Sequence, residues 1–109
     1  MFSIDEKNNI NLTRGDTCMF NIDLVDSEGT PYITHEGDTM RFAMAKNYGS
    51  NEILVNKDIP VNTLLFKLDP SDTKSLGFGT YVYDIQYTDY EGNVFTIILG
   101  NITLTKEVG

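Results

Sequence analysis

The chain has 109 residues and a formal charge of −8, from 16 acidic against 8 basic residues. That length suits one domain with an ordinary core, and a hydrophobic content of 40% excludes wholesale disorder. The acidic balance, with lysines and arginines scattered along the chain, argues against nucleic acid or an anionic membrane as partner.

Twelve aromatics, six Tyr and six Phe without Trp, favour strands over helices. The tripeptide Gly15-Asp16-Thr17 recurs as Gly37-Asp38-Thr39, and each copy precedes a strand-like run with Phe three residues after the Thr, at Phe20 and Phe42. Each copy reads as a turn that launches a strand. From Thr17 to Val25, Cys18, Phe20, Ile22 and Leu24 alternate with Met19, Asn21 and Asp23, the period-two pattern of a half-buried strand. Asp26-Ser27-Glu28-Gly29 is a tight turn in which Gly29 is free to take positive φ. A short strand is predicted over Thr30 to Thr34, with Pro31 placing it at a sheet edge.

The second Gly-Asp-Thr opens a strand with Met40, Phe42 and Met44 on one face and Arg41, Ala43 and Ala45 on the other. A loop over Asn47 to Asn51 leads to a weaker strand from Glu52 to Lys57 with Ile53 and Val55 in phase. After Pro60 the alternation resumes at Leu64, Phe66 and Leu68. One short helical turn is predicted near residues 70–76, with Asp69 as cap, Pro70 in the first helical position and Gly77 at the exit. Tyr81, Tyr83, Ile85 and Tyr87 then alternate with Val82, Asp84, Gln86 and Thr88, and Asp89 to Asn93 form a hairpin turn. Val94 to Thr105 is long and β-branched, and Gly100 within it suggests a bulge or bend. Seven to nine short strands with turn signals roughly every 8–12 residues point to an all-β sandwich or small barrel. The helical turn before the tyrosine strand resembles the cross-over between the sheets of immunoglobulin-like domains, without their disulfide and core Trp.

No site chemistry assembles from these residues. The single cysteine, Cys18, rules out an internal disulfide and lies in phase with the core, which quenches thiol reactivity. The single histidine, His35, sits in a loop beside Glu36. One His and one Cys make no zinc site by spacing, and a Cys18–His35 dyad requires the fold to bring them together. Asp23, Asp26 and Glu28, and again Asp89, Glu91 and Asn93, are acidic turns open to weak calcium binding, but neither has EF-hand spacing. Arg14-Gly15-Asp16 spells an integrin-recognition tripeptide, but its twin, Glu36-Gly37-Asp38, shares only the turn residues. Asp84, set in a hydrophobic strand, is expected to face solvent or an adjacent subunit. Tyr81 and Tyr83 read as core, whereas Tyr48 and Tyr90 are the candidates for surface contact. No catalytic, metal-binding or cofactor-binding residue is expected. The opening Met-Phe-Ser-Ile-Asp-Glu-Lys has no secretion signal, so cytoplasmic synthesis is expected and the two Asn-X-Thr triplets at Asn11 and Asn101 are matches by pattern only.

The segments Leu-Thr-Arg-Gly-Asp-Thr, Met-Arg-Phe-Ala-Met, Leu-Asp-Pro-Ser-Asp-Thr-Lys-Ser-Leu, Gly-Thr-Tyr-Val-Tyr-Asp-Ile-Gln and Thr-Ile-Ile-Leu-Gly-Asn-Ile-Thr-Leu together resemble small domains of phage and prophage tail gene clusters in Gram-positive bacteria. The nearest group is the immunoglobulin-like N-terminal domain of phage baseplate upper proteins, over Ile10 to about Val108. The resemblance implies one immunoglobulin-like antiparallel β-sandwich, non-enzymatic and without cofactor, made in the host cytoplasm and assembled into a virion. Its implied partners are other tail proteins or further copies of itself. The chain lacks the helical or fibre-anchoring extension of those proteins, so a small stand-alone virion component is expected. The other reading is a carbohydrate- or ligand-binding module using Tyr48 or Tyr90.

Overall fold

The computed structural model describes residues 2–4 and 6–106; Val108, the far limit of the resemblance, lies outside them. Eight strands and one helical turn follow in order: β1 (Phe2–Ile4), β2 (Ile10–Thr13), β3 (Cys18–Asn21), β4 (Thr39–Ala45), β5 (Val55–Ile59), β6 (Leu65–Leu68), α1 (Pro70–Thr73), β7 (Gly79–Thr88) and β8 (Val94–Thr105). They form two sheets, β1-β2-β8-β7-β4-β5 and β3-β6. The protein is mostly β, as its sequence predicts. No helix of the described residues is long and apolar enough to cross a membrane.

The large sheet is mixed rather than wholly antiparallel. β2 runs parallel to β8, from Ile10 opposite Ile102 to Thr13 opposite Thr105, while every other neighbouring pair is antiparallel. β2 has no strong sequence signal, since Ile10 and Leu12 are its only apolar residues; both are buried. β7 lies between β4 and β8, and Tyr81, Tyr83, Ile85 and Tyr87 all point inward and are buried. Across the core the rings of Phe42 and Phe66 stack at 4.4 Å, Phe42 and Tyr83 at 5.3 Å, and Phe20 and Phe66 lie 5.1 Å apart. This aromatic column joins β3 and β6 to β4 and β7.

Both Gly-Asp-Thr turns are built as expected, with Gly15 at φ 84° and Gly37 at φ 93°. Their surroundings differ. The Gly15 N–H donates to Thr73 Oγ1 at 2.9 Å, tying the first turn to α1, where Thr73 is fully buried. Arg14 Nη1 donates to the Leu76 carbonyl at 3.0 Å and its guanidinium lies 4.1 Å over the Phe78 ring. α1 opens with the Asp69 N–H donating to the Asp72 carboxylate at 2.7 Å. Lys57 on β5 spans Asp69 and Asp72 at 3.0 and 2.7 Å, which raises its pKa, foremost through the hydrogen bond to Asp72. Tyr81 donates its hydroxyl to the Gly77 carbonyl at 2.7 Å where the chain crosses into β7.

Several expectations need correction. The strand predicted over Thr17 to Val25 pairs as a ladder only as far as Asn21, because the partner strand turns at Leu64 (φ 55°); one last bond runs from the Ile22 N–H to the Leu64 carbonyl at 2.8 Å. Thr30 to Thr34 is not a strand; a single bridge joins Pro31 to Val25. The strand expected at Glu52 to Lys57 begins at Val55 and runs to Ile59, where Met40 to Met44 of β4 supply partners. β4 is buried on both faces from Phe42 to Ala45, where the loop after it lies over Ala43 and Ala45. The bulge in β8 lies at Ile97, where the β7 register slips between Ile85 and Gln86, and not at Gly100. Gly100 answers to crowding: a Cβ there would collide with the Asn8 carbonyl and stand 2.9 Å from the Tyr83 ring.

Candidate functional site

The two candidate contact residues are both exposed, and they do not meet. Tyr48 follows β4 and donates its hydroxyl to the Gly100 carbonyl at 3.2 Å, beside the Tyr83 end of β7. Tyr90 follows β7, with its N–H on Asp38 Oδ1 at 2.8 Å. Five positions of β7 separate Tyr83 from Thr88, so the two tyrosines stand on the order of 17 Å apart along the sheet.

The other flagged residues resolve into structure. Cys18 is buried opposite Leu68, and burial pushes its thiol up to about 11. His35 stands at the exposed end near Tyr90, with ring centroids 5.2 Å apart. Asp26 Oδ1 accepts the Glu28 and Thr30 N–H groups; Asp89 Oδ1 accepts those of Glu91 and Asn93, and these bonds, led by that from Asn93, lower its pKa. Both acidic turns thus use their carboxylates on their own backbone. Among the described residues no three His, Cys, Asp or Glu gather as a metal site. Arg14 is held against Leu76 and Phe78 as a brace, away from any loop tip. Asp84 lies on the outer face, half-buried, with Oδ1 3.9 Å from Arg41 Nη1 and without a hydrogen bond. The neighbouring cavity, about 110 Å³ between Arg41, Tyr48 and Asp84, is small.

Among the described residues Asp38 is the one buried carboxylate. It accepts the Tyr87 hydroxyl in a short hydrogen bond, the His35 N–H at 2.9 Å and the Tyr90 N–H. Burial pushes its carboxyl up, but those three bonds and the His35 imidazole outweigh it and hold the group below 3.8. In return, burial and the Asp38 carboxylate raise the Tyr87 phenol. The clamp closes the hairpin end of β7 onto the turn before β4.

The most distinctive surface lies along β8. One edge of the strand pairs with β7 throughout, but the other meets β2 only at Ile102 to Thr105. Among the described residues no strand pairs with that second edge over Val94 to Leu99. This stretch reads Val-Phe-Thr-Ile-Ile-Leu, β-branched or apolar and without a charge. Val94, Phe95 and Leu99 are each more than half exposed. Val94 and Leu99 pair with Thr88 and Asp84 on the outer face, whereas Phe95 pairs with buried Tyr87 on the inner one. Phe95 is uncovered because β3 stops at Asn21 and its sheet does not reach the hairpin end. The result is a groove of about 510 Å³ lined by Leu24, Val25, Tyr32, Tyr87, Phe95 and Ile97, with Asp26 and Asp89 at its rim.

The edges at β5, β3 and β6 are guarded. β5 carries Lys57 and Asp58 and is followed by Pro60, and β3 and β6 are four residues each. Charge, proline and shortness are the usual protections against unwanted strand pairing. Val94 to Leu99 has none of them. The signal was present in the sequence as an uncharged run, but its exposure depends on where β2 stops. No protein-family model matches the chain, and no curated protein matches it.

Proposed function

We propose that this protein is a non-enzymatic interaction module of immunoglobulin-like fold, serving in the assembly of a phage or prophage tail or baseplate and making its contacts through the open edge of β8. The observation that carries this reading is the unpaired, uncharged Val94–Leu99 edge beside an apolar groove. Such an edge accepts an extended strand through backbone hydrogen bonds, while flanking pockets take side chains. The tail setting is supported by the sequence resemblance alone.

Two features favour the immunoglobulin-like assignment. On that assignment β3 and β6 correspond to the B and E strands, and β4, β5, β7 and β8 to C, C′, F and G. Tyr81, near the start of β7 with its hydroxyl on Gly77, has the form of the tyrosine corner of that fold. Tyr83, two residues on, then stands where antibody domains carry the second disulfide cysteine, and its stacking on Phe42 takes over the bracing of the core.

Co-expression with phage tail and baseplate proteins tests the function. A stable complex is expected with the native chain and none with the Val94→Lys, Leu99→Lys double variant, whose melting temperature should be unchanged. No complex, or one indifferent to the substitutions, contradicts the reading.

A carbohydrate-binding module is the second reading, favoured by the aromatic cluster of Tyr32, His35 and Tyr90 at the hairpin end. Glycan-array binding lost in Tyr90→Ala supports it; absence of binding to any glycan disposes of it.

A further inference from the structure

We infer that the open edge of β8 is closed by the same edge of a second copy of this chain, the two strands pairing antiparallel about a two-fold axis that passes between Thr96 and Ile97. This rests on the reading of the β8 edge as the contact surface, and it names the occupant. A two-fold axis uses one patch twice, so the patch must suit itself. Val94 to Leu99 does: in a chain of charge −8 it is six residues without a charge, and no like charges meet across the axis. A basic partner strand is less well served, because Asp26 and Asp89 at the groove rim already accept hydrogen bonds within their own turns.

The bulge makes this register possible. Paired residues on neighbouring strands project to the same face. In β8, Val94 and Leu99 are both on the outer face, Phe95 and Ile98 both on the inner, because the extra residue at Ile97 shifts the alternation by one. An axis between Thr96 and Ile97 sets Val94 opposite Leu99 of the second copy and Phe95 opposite its Ile98, so faces match in every flanking pair. Without the bulge this register would set outward side chains against inward ones. Each Phe95 then lies against the second copy at the mouth of its own groove, and the two large sheets become one. The acidic turn from Asp89 to Glu91 approaches the second copy near its Asn8 and Asn9, which are uncharged, and not its own twin.

Sedimentation equilibrium from low to high micromolar protein tests this. The native chain is expected to pass reversibly from monomer to dimer and no further, since a two-fold contact closes the edge it uses. Val94→Lys with Leu99→Lys places like charges opposite one another and should weaken the dimer by at least about tenfold relative to Val94→Lys with Leu99→Glu, which places opposite charges there. Both variants remove the same apolar side chains, so their difference reads the pairing and not the loss of packing; circular dichroism verifies that both are folded. A strictly monomeric native chain overturns the inference, as do open-ended oligomers or equal behaviour of the two variants. If the native chain is monomeric yet its complex with a tail protein is lost in the doubly lysine-substituted variant, the second copy is excluded and the interaction reading stands. If neither association occurs, both fall.

Discussion

Asp16 and Asp38 occupy the same place in a repeated tripeptide, yet only Asp38 is buried. The repeat reports the turn, which depends on local backbone chemistry, whereas the burial of Asp38 depends on Tyr87 and Tyr90, about fifty residues away. The depressed pKa of Asp38 gives the sign of its pH dependence. Its contribution is present above the unfolded value of 3.8 and is lost as pH falls through the lower folded value. Asp38→Asn should therefore lower the melting temperature at neutral pH, with the difference from the native chain narrowing below about pH 4. Thermal melts from neutral to strongly acidic pH check this. Gly100 makes the complementary point, because its reason lies in the Asn8 carbonyl and the Tyr83 ring and not in its own strand. Gly100→Ala should cost about 1–3 kcal/mol in urea unfolding, the usual range for over-packing.

Among the elements, β7 was legible because one face is wholly buried and the other is not, so its tyrosines alternate. β4 was legible as a strand but not as a central one, since Ala43 and Ala45 are small enough to pass for a solvent face and are covered by a loop. β3 is shorter than its alternation, which continues through Ile22 and Leu24 beyond the end of the ladder with β6. α1 was marked by Asp69 and Pro70, but its link to the first Gly-Asp-Thr turn through Thr73 was not. Thr73→Val preserves the shape and removes the acceptor for the Gly15 N–H. Because the site is buried, a loss of about 1–3 kcal/mol is expected in denaturant unfolding. A negligible change would mean that the turn and α1 are held by other contacts.

At the scale of the whole molecule, topology decides where contact is possible. β2 and β8 belong to opposite ends of the chain, and nothing local announces that they pair in parallel or that the pairing stops at Ile102. The uncharged run of β8 was visible in the sequence; that half of it is bare was not. Tyr48 and Tyr90, the candidates for surface contact, are both exposed, but the sheet holds them apart, and the apolar surface lies on the strand between. Amide hydrogen exchange tests most directly whether a second copy of the chain closes this edge. Alternate N–H groups of Val94 to Leu99 should exchange freely in dilute solution and become protected at high protein concentration, with β5, the guarded edge, unchanged. Identical exchange of Val94 to Leu99 at both concentrations would contradict the account.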